Sequence, residues 1–367
     1  MSDLASLHPR AGAVLEVDLG AIVANWRLLA QIAAPAGCAA VVKANGYGLG
    51  AAPVARALAA AGCGLFFVAT LDEGIALRRA LGAGPEIAVL NGPLAGTAPE
   101  FIAHRLLPVL NHPGQIAEWE GAGDDHAAIL QVDSGMARLG LTAAELAALA
   151  ARPPSYPWRA VISHLACAET PEHPQNASQR ARFAAAAALL PGVPASLAAS
   201  SGIFLGAPYH FDIVRPGAAL YGVNPIPGRS NPLRQVVRLY GKILQVRQID
   251  RGEPVGYGAA HVMQAPGRVA TVGVGYADGW PRALGHRGCG HLAGTRVPLI
   301  GRVSMDLVTF DVSAADPGAA HPGALIELLG PHYGVDAAAA DAGTIGYEIL
   351  SALGARYHRV YRAPPDQ

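Results

Sequence analysis

The chain has 367 residues, of which 51% are hydrophobic and 15% charged, with 27 basic residues matched by 27 acidic ones. That length exceeds one ordinary core and suits two domains or a large barrel, yet no apolar run free of Gly, Pro and charge is long enough to cross a bilayer. Balanced charge without a polybasic run excludes the electrostatic footprint of a nucleic-acid binder, so a small-molecule ligand is expected.

The opening stretch 1–10 lacks a basic segment followed by an apolar one, so nothing in it directs export and a cytoplasmic location is expected. Beyond it, short apolar runs at 14–17, 39–42, 65–68, 87–90, 107–110, 127–132, 160–163, 195–198 and 211–214 read as nine strands. Between them lie segments of helical spacing, such as 22–32, 51–61, 71–81 and 177–190. Strand, helix, strand order implies a parallel sheet, and eight such units close a barrel. A doubly wound open sheet competes, but its dinucleotide fingerprint is missing: Gly273-Val274-Gly275-Tyr276-Ala277-Asp278-Gly279 has the wrong glycine spacing and runs into Trp280-Pro281 instead of a helix. The Pro/Gly-rich stretch 221–228 suits a domain boundary, after which alternating runs at 241–248, 268–274, 297–300 and 325–329 read as a mainly antiparallel β domain. The expected domains are therefore 1–228, an α/β barrel, and 229–367, a β domain.

Cys38, Cys63, Cys167 and Cys289 form no C-x-x-C pair, so buried free thiols are expected, and His164 with Cys167 gives only two metal ligands without a second pair. Chemistry in a parallel barrel gathers at the C-terminal ends of the strands, with phosphate often held by the loops after the last two. Lys43 sits there, where the buried run 38–42 gives way to the glycine-punctuated loop 44–50. An ammonium at that point is costly to desolvate, so its pKa should fall toward the range where the neutral amine attacks a carbonyl; a flexible loop beside it would leave room for a cofactor. Arg138 follows Val132-Asp133-Ser134-Gly135-Met136, His164 ends the next strand, Ser200-Ser201-Gly202 follows the one after, and Arg215-Pro216-Gly217 closes the last. Singly, these are a snorkelling lysine, a surface ion pair, a hydrogen-bonded core histidine and a helix cap. Gathered at one rim, they mark a site.

Val41-Val42-Lys43-Ala44-Asn45-Gly46-Tyr47-Gly48 and Gly275-Tyr276-Ala277-Asp278-Gly279 together resemble the two signatures of alanine racemases. Asp133 to Gly140, Ser163-His164-Leu165-Ala166, Val214-Arg215-Pro216-Gly217, Gly301 to Asp306 and Gly343 to Glu348 follow in that family's order, over nearly the whole chain. The resemblance implies a pyridoxal-phosphate-binding (β/α)8 TIM barrel followed by a mainly β C-terminal domain, a head-to-tail homodimer with shared active sites, and a first strand, 14–17, that joins the β domain. It makes Lys43 the cofactor's Schiff-base lysine and the base for the D-enantiomer, and Tyr276 the base for the L-enantiomer, entering from the partner subunit with Met305. A two-base inversion needs one base on each side of the Cα plane. A phenol of ordinary pKa near ~10 needs help to act so, which the resemblance assigns to His164 and Arg215, with Arg215 at the pyridine nitrogen. For the phosphate it implies Tyr47, Ser201, Gly217 and Tyr347, with backbone N–H groups of Gly217 and Ala218, and Ser200 beside them. Arg138 is implied at the phenolic oxygen and the substrate carboxylate, the Met305 N–H at another carboxylate oxygen, and Asp306 as the organiser of that loop.

This chain departs from the family where many relatives carry a carbamylated lysine: Gln131 stands there, an amide that can accept a bond from Arg138 but adds no charge. The reading is L/D-alanine interconversion, biosynthetic or catabolic. A broader alanine/serine racemase is an alternative, since one extra group in a pocket discriminates by only ~1–3 kcal/mol. A related barrel decarboxylase would need an acidic pocket and has no use for the tyrosine loop, and a non-catalytic cofactor carrier would lack the β domain.

Overall fold

The computed structural model describes residues 9–122 and 126–363; the stretch read for an export signal lies outside the described residues as far as residue 8. The chain divides into two compact units, one running from Ile22 to Arg234, the other combining the residues up to Ala21 with those from Gln235 onward. The proline-rich stretch 221–228 thus stays with the first of these, and strand β1 (Ala13–Asp18) belongs to the second.

The first unit is the barrel. Its strands are β2 (Gly37–Cys38), β3 (Ala40–Val41), β4 (Leu65–Val68), β5 (Glu86–Val89), β6 (Leu107–Leu110), β7 (Ala128–Gln131), β8 (Trp158–Ile162), β9 (Ala195–Ser196) and β10 (Ile213–Val214). β3 to β9 lie side by side in chain order and pair in parallel throughout. β10 pairs in parallel with β2, Ala199 bridges to Arg215, and Ala39 and Val41 donate to the carbonyls of Val214 and Pro216, both at 2.9 Å. β2 and β3 are therefore one strand interrupted at Ala39, and eight strands close the ring. The strand expected at 39–42 begins earlier, at Gly37, because Gly37 and Cys38 pair with Ile213 and Val214 of β10. β4 and β7 are buried along their whole length, as strands covered on both faces must be, which is why their sequences run apolar instead of alternating. Local chemistry starts the helices: capping boxes pair Thr70 with Glu73 and Thr142 with Glu145, and Pro174 takes the first turn of Pro174–Ala188.

The second unit is an eight-stranded sheet of β1 with β11 (Val237–Ile249), β14 (Gly267–Val272), β15 (Cys289–Leu292), β16 (Thr295–Ile300), β17 (Val308–Asp311), β18 (Leu325–Leu329) and β19 (His358–Arg362); β12 (Pro254–Val255) and β13 (His261–Val262) form a separate hairpin. β1 runs antiparallel to β11, with Val14 opposite Tyr240, and parallel to β19, with Val14 opposite His358. The opening strand, one more than the eight a barrel needs, is a sheet partner here because both its neighbours come from the second half of the chain, which no local pattern reveals. β11 shifts register between Ile243 and Gln245, so it pairs with β18 at one end and β14 at the other and curls the sheet onto itself around Val272, Phe310, Ile326 and Leu328. Two helices, Val335–Ala342 and Gly346–Ala352, interrupt the expected β pattern, the first where alanine density favours helix. Among the described residues no helix is long and apolar enough to cross a membrane.

Candidate active site

Val42 carries the chain from β3 to Lys43, and the loop that follows is not the flexible one expected. Ala44, Asn45, Gly46 and Tyr47 have φ of 52°, 54°, 63° and 53°, one turn of left-handed helix. That conformation costs roughly 1–2 kcal/mol per non-glycine residue, so bonds must hold it. They do: Gly46 N–H donates to Val42 O (2.8 Å), Gly48 to Ala44 O (2.8 Å), Gly50 to Asn45 O (2.7 Å), and Ala51 to the Asn45 side chain (3.1 Å). Ala44 N–H donates to Glu73 Oε1 at 2.7 Å. Glycine content suggested mobility; the hydrogen bonds that remove it cannot be read from composition. Burial pushes the Lys43 amine below the usual lysine range, the Arg138 guanidinium pushes it the same way, and Glu73 opposes them.

His164 follows β8 and lies among cations. Burial first, then Arg215, Arg138 and Lys43, drive its imidazole down to about 3, so it is neutral through the physiological range. Arg215 is buried; its guanidinium donates to Ser196 O (2.8 Å), Ser196 Oγ (2.5 Å) and Ser163 O (2.6 Å), and lies 5.9 Å from the Phe67 ring centre. Desolvation lowers it to about 10, which leaves it a cation at neutral pH. Arg215, Arg138, Lys43 and His164 therefore converge at one end of the barrel.

Ser200 and Ser201 open the short helix Ser200–Ile203, both buried. Ser200 Oγ accepts from Gly217 N–H (3.0 Å) and Ala219 N–H (3.1 Å). The Gly217 N–H expected at a phosphate is thus engaged by Ser200 here, and Ser200 gains a definite role, holding the 217–219 turn that carries Ala218. Gly217 is required by a neighbour: a Cβ there would run into the Tyr47 hydroxyl. Tyr47 is buried, its ring 4.8 Å from that of Tyr221, whose hydroxyl donates to Val41 O at 3.3 Å.

The loop bearing Arg138 is shaped by Asp133, whose carboxylate accepts from the N–H groups of Gly135, Met136 and Ala137. Burial works against ionisation there, but these three donors and Arg182 hold the Asp133 carboxyl below the usual range. Gln131 donates to Leu139 O at 3.3 Å, a bond to the backbone beside Arg138. Sequence reasoning missed Glu73, Tyr221 and Gln179. Gln179 is fully buried on helix Pro174–Ala188 and ties Ser134 (3.2 Å), the His164 carbonyl (2.9 Å) and Ala166 N–H (2.8 Å). Only Glu73 had a legible signal, the Thr70-x-x-Glu73 capping pattern.

In the second unit, Tyr276 begins a 3-10 turn, Tyr276–Asp278. Tyr276 N–H donates to Ser304 O (3.0 Å) and Ala277 N–H to Met305 O (2.9 Å), which staples the tyrosine loop to the methionine loop. Gly275 permits this approach, since a Cβ there would run into the Met305 and Ser304 carbonyls. The buried Asp278 accepts from Gly275 N–H (2.8 Å) and pairs with Arg356 (2.8 Å), which also reaches Asp306 (2.7 Å). Asp306, expected to organise its loop, is joined through Arg356 to Asp278 of the tyrosine loop. Tyr276 and Met305 are 43% and 54% exposed, side by side. Tyr347 is half-buried on Gly346–Ala352 in the same unit. No group of three or more His, Cys, Asp or Glu among the described residues could hold a metal.

A closed parallel barrel whose rim gathers a desolvated lysine, two arginines and a neutral histidine, followed by a β domain, defines a barrel enzyme built around an amine. The alanine racemase N-terminal domain model matches residues 17–225 and the C-terminal domain model residues 236–361. The chain is 56% identical over 360 residues to the alanine racemase of Rhodospirillum rubrum, covering 96% of each, and 52% identical over 358 residues to the catabolic alanine racemase of Mesorhizobium japonicum, covering 96% of this chain and 93% of that one. It resembles the crystal structure of alanine racemase from Bartonella henselae with covalently bound pyridoxal phosphate, with a TM-score of 0.92 and 42% identity over 96% of this chain and 100% of that one. The chain belongs to the alanine racemase family.

Proposed function

We propose that this chain interconverts L- and D-alanine with pyridoxal phosphate, as a cytoplasmic homodimer in which Lys43 of one subunit and Tyr276 of the other serve as the two bases. The observation that carries the reading is Lys43 itself, an amine that burial and Arg138 hold below its ordinary pKa at the mouth of the barrel. The residues present fit the cofactor. Gly217 lets its turn approach the Tyr47 hydroxyl, the buried Ser201 follows Ser200, which holds that turn, and Arg215 and His164 meet Lys43 on the same rim. Lys43, Tyr47, Ser201, Ala218 and Tyr347 would hold the group, with Arg138 at its oxygen, and when bound it supplies an electron sink at the substrate carbon, a weaker one beside an arginine than beside an aspartate.

The chain's own residues supply the rest. Lys43 Nζ, deprotonated at neutral pH more readily than an exposed lysine, takes or returns the proton on one face. Tyr276 Oη does so on the other. Arg215 is a donor at every relevant pH and His164 a neutral relay beside it, so neither competes for the proton in flight. Arg138, on a loop fixed by Asp133, and the Met305 N–H orient the carboxylate. The exposed apolar surface of Tyr276, Met305 and Leu307 supports a covering partner. Four free cysteines suit a reducing compartment.

The test is borohydride treatment of the yellow holoenzyme followed by peptide mapping, together with solvent-deuterium exchange on each alanine enantiomer. Label on Lys43, and selective loss of exchange from the L side in Tyr276→Phe, are the expected results. Label elsewhere, or equal loss from both sides, would overturn the assignment. A serine arm in the same assay decides between an alanine enzyme and a broader racemase.

A further inference from the structure

We propose that Glu73 is a positioning residue for Lys43: one carboxylate that locks the left-handed turn behind the lysine and supplies the negative charge facing its amine. The inference rests on the reading of Lys43 given above and names a residue that reading does not use. The plain alternative is a helix cap, and Glu73 does take part in one, but its capping bonds are its longest. Thr70 N–H donates to Oε2 at 3.3 Å and Glu73 N–H to Thr70 Oγ1 at 3.4 Å. The short bonds go elsewhere, from Ala44 N–H to Oε1 and from Ala69 N–H to Oε2, both 2.7 Å. A cap needs neither. Charged acceptors make bonds of this length about twice as strong as neutral ones.

The placement of the first bond matters most. Ala44 N–H belongs to the peptide immediately after Lys43, so fixing it fixes the ψ of Lys43 and the φ of Ala44, the first residue of the left-handed turn. The second bond anchors the same carboxylate to the residue after Val68, the end of β4, which pairs with β3. Glu73 thereby ties the lysine's peptide to the neighbouring strand. Electrostatically the amine faces the Arg138 guanidinium, and Glu73 is the carboxylate set against it. Removing its charge leaves Arg138 unopposed, which favours the neutral amine still further.

Three variants separate these roles: Glu73→Gln keeps an acceptor and the shape but loses the charge, Glu73→Ala loses both, and Thr70→Ala weakens only the cap. Apoenzyme is labelled with a lysine-acylating reagent across a pH series and the Lys43 peptide is quantified by mass spectrometry; kcat and KM are measured on holoenzyme. The midpoint of Lys43 labelling should move to lower pH in Glu73→Gln. Glu73→Ala should lose on the order of tenfold to a hundredfold in kcat with a smaller change in KM, as a misplaced reacting group does. Thr70→Ala should match wild type in both. A Glu73→Gln midpoint equal to wild type, or a Thr70→Ala loss as large as that of Glu73→Ala, would overturn the proposal; should Glu73→Ala fail to fold, the glutamine variant still decides it. Absence of borohydride label on Lys43 in wild type would instead sink the functional reading, and the apoenzyme labelling is independent of it.

Discussion

Replacing Gly217 by alanine tests the close approach of Tyr47 to the 217–219 turn, two elements expected at the cofactor phosphate. The φ of Gly217 is −124°, a value side-chain-bearing residues adopt, so the cost of Gly217→Ala is steric. The new Cβ would overlap the Tyr47 hydroxyl and lie 3.1 Å from Tyr47 Cζ and 3.4 Å from Val41 Cβ. Tyr47 has little freedom to yield, because its ring rests against buried Tyr221 at 4.8 Å and its backbone is part of the left-handed turn. Overpacking of this kind costs about 1–3 kcal/mol. For a unit of this size each kcal/mol lowers Tm by roughly 2–4 °C, so the apoenzyme should melt roughly 2–12 °C lower. Cofactor affinity, followed by absorbance titration, should weaken as well. Tyr47→Phe removes the atom in closest conflict, so in the double variant the two penalties should fall short of their sum by on the order of 1 kcal/mol. Unchanged melting and cofactor affinity in Gly217→Ala, or strict additivity in the double variant, would refute that packing argument.

Ser200→Ala leaves two buried N–H groups, Gly217 and Ala219, without their acceptor and should cost about 1–3 kcal/mol of stability in urea unfolding, whereas Ser201→Ala should mainly weaken cofactor binding. His164 has a depressed folded pKa of about 3, so between that value and ~6.5 the unfolded chain binds a proton the folded chain refuses, and stability rises with pH across that window by up to about 1.4 kcal/mol per unit. His164→Asn should flatten the slope in acid-unfolding curves, and an unchanged slope would show that the imidazole does not carry it. Asp133 has the same sense at lower pH: its carboxyl is depressed, so its contribution is present above ~3.9 and lost as pH falls through the folded value. Asp133→Asn should therefore raise KM for alanine at neutral pH by loosening the Arg138 loop, with the deficit narrowing in acid.

Much of this was legible in the residues. Alternation of apolar runs with helical spacing revealed the barrel because its strands are buried on both faces, and the polar residues that end those strands, Lys43, Arg138, His164, Ser200, Ser201 and Arg215, stand on the barrel rim as expected. Tyr276 and Met305, 29 positions apart in sequence, were linked only by resemblance, and two backbone bonds now explain the link. Glu73, Gln179 and Tyr221 were passed over because each acts through a partner far along the chain.

The sequence by itself determined the order of strands and helices and the chemical identity of the rim, since periodicity and residue type are local properties of a chain. Only the tertiary structure decided that β1 pairs with β11 and β19, that the stretch after Lys43 is a bonded left-handed turn, and that His164 is neutral among cations. Those outcomes depend on hydrogen-bond partners and desolvation contributed by distant segments, and such terms exist only once the chain has folded back on itself.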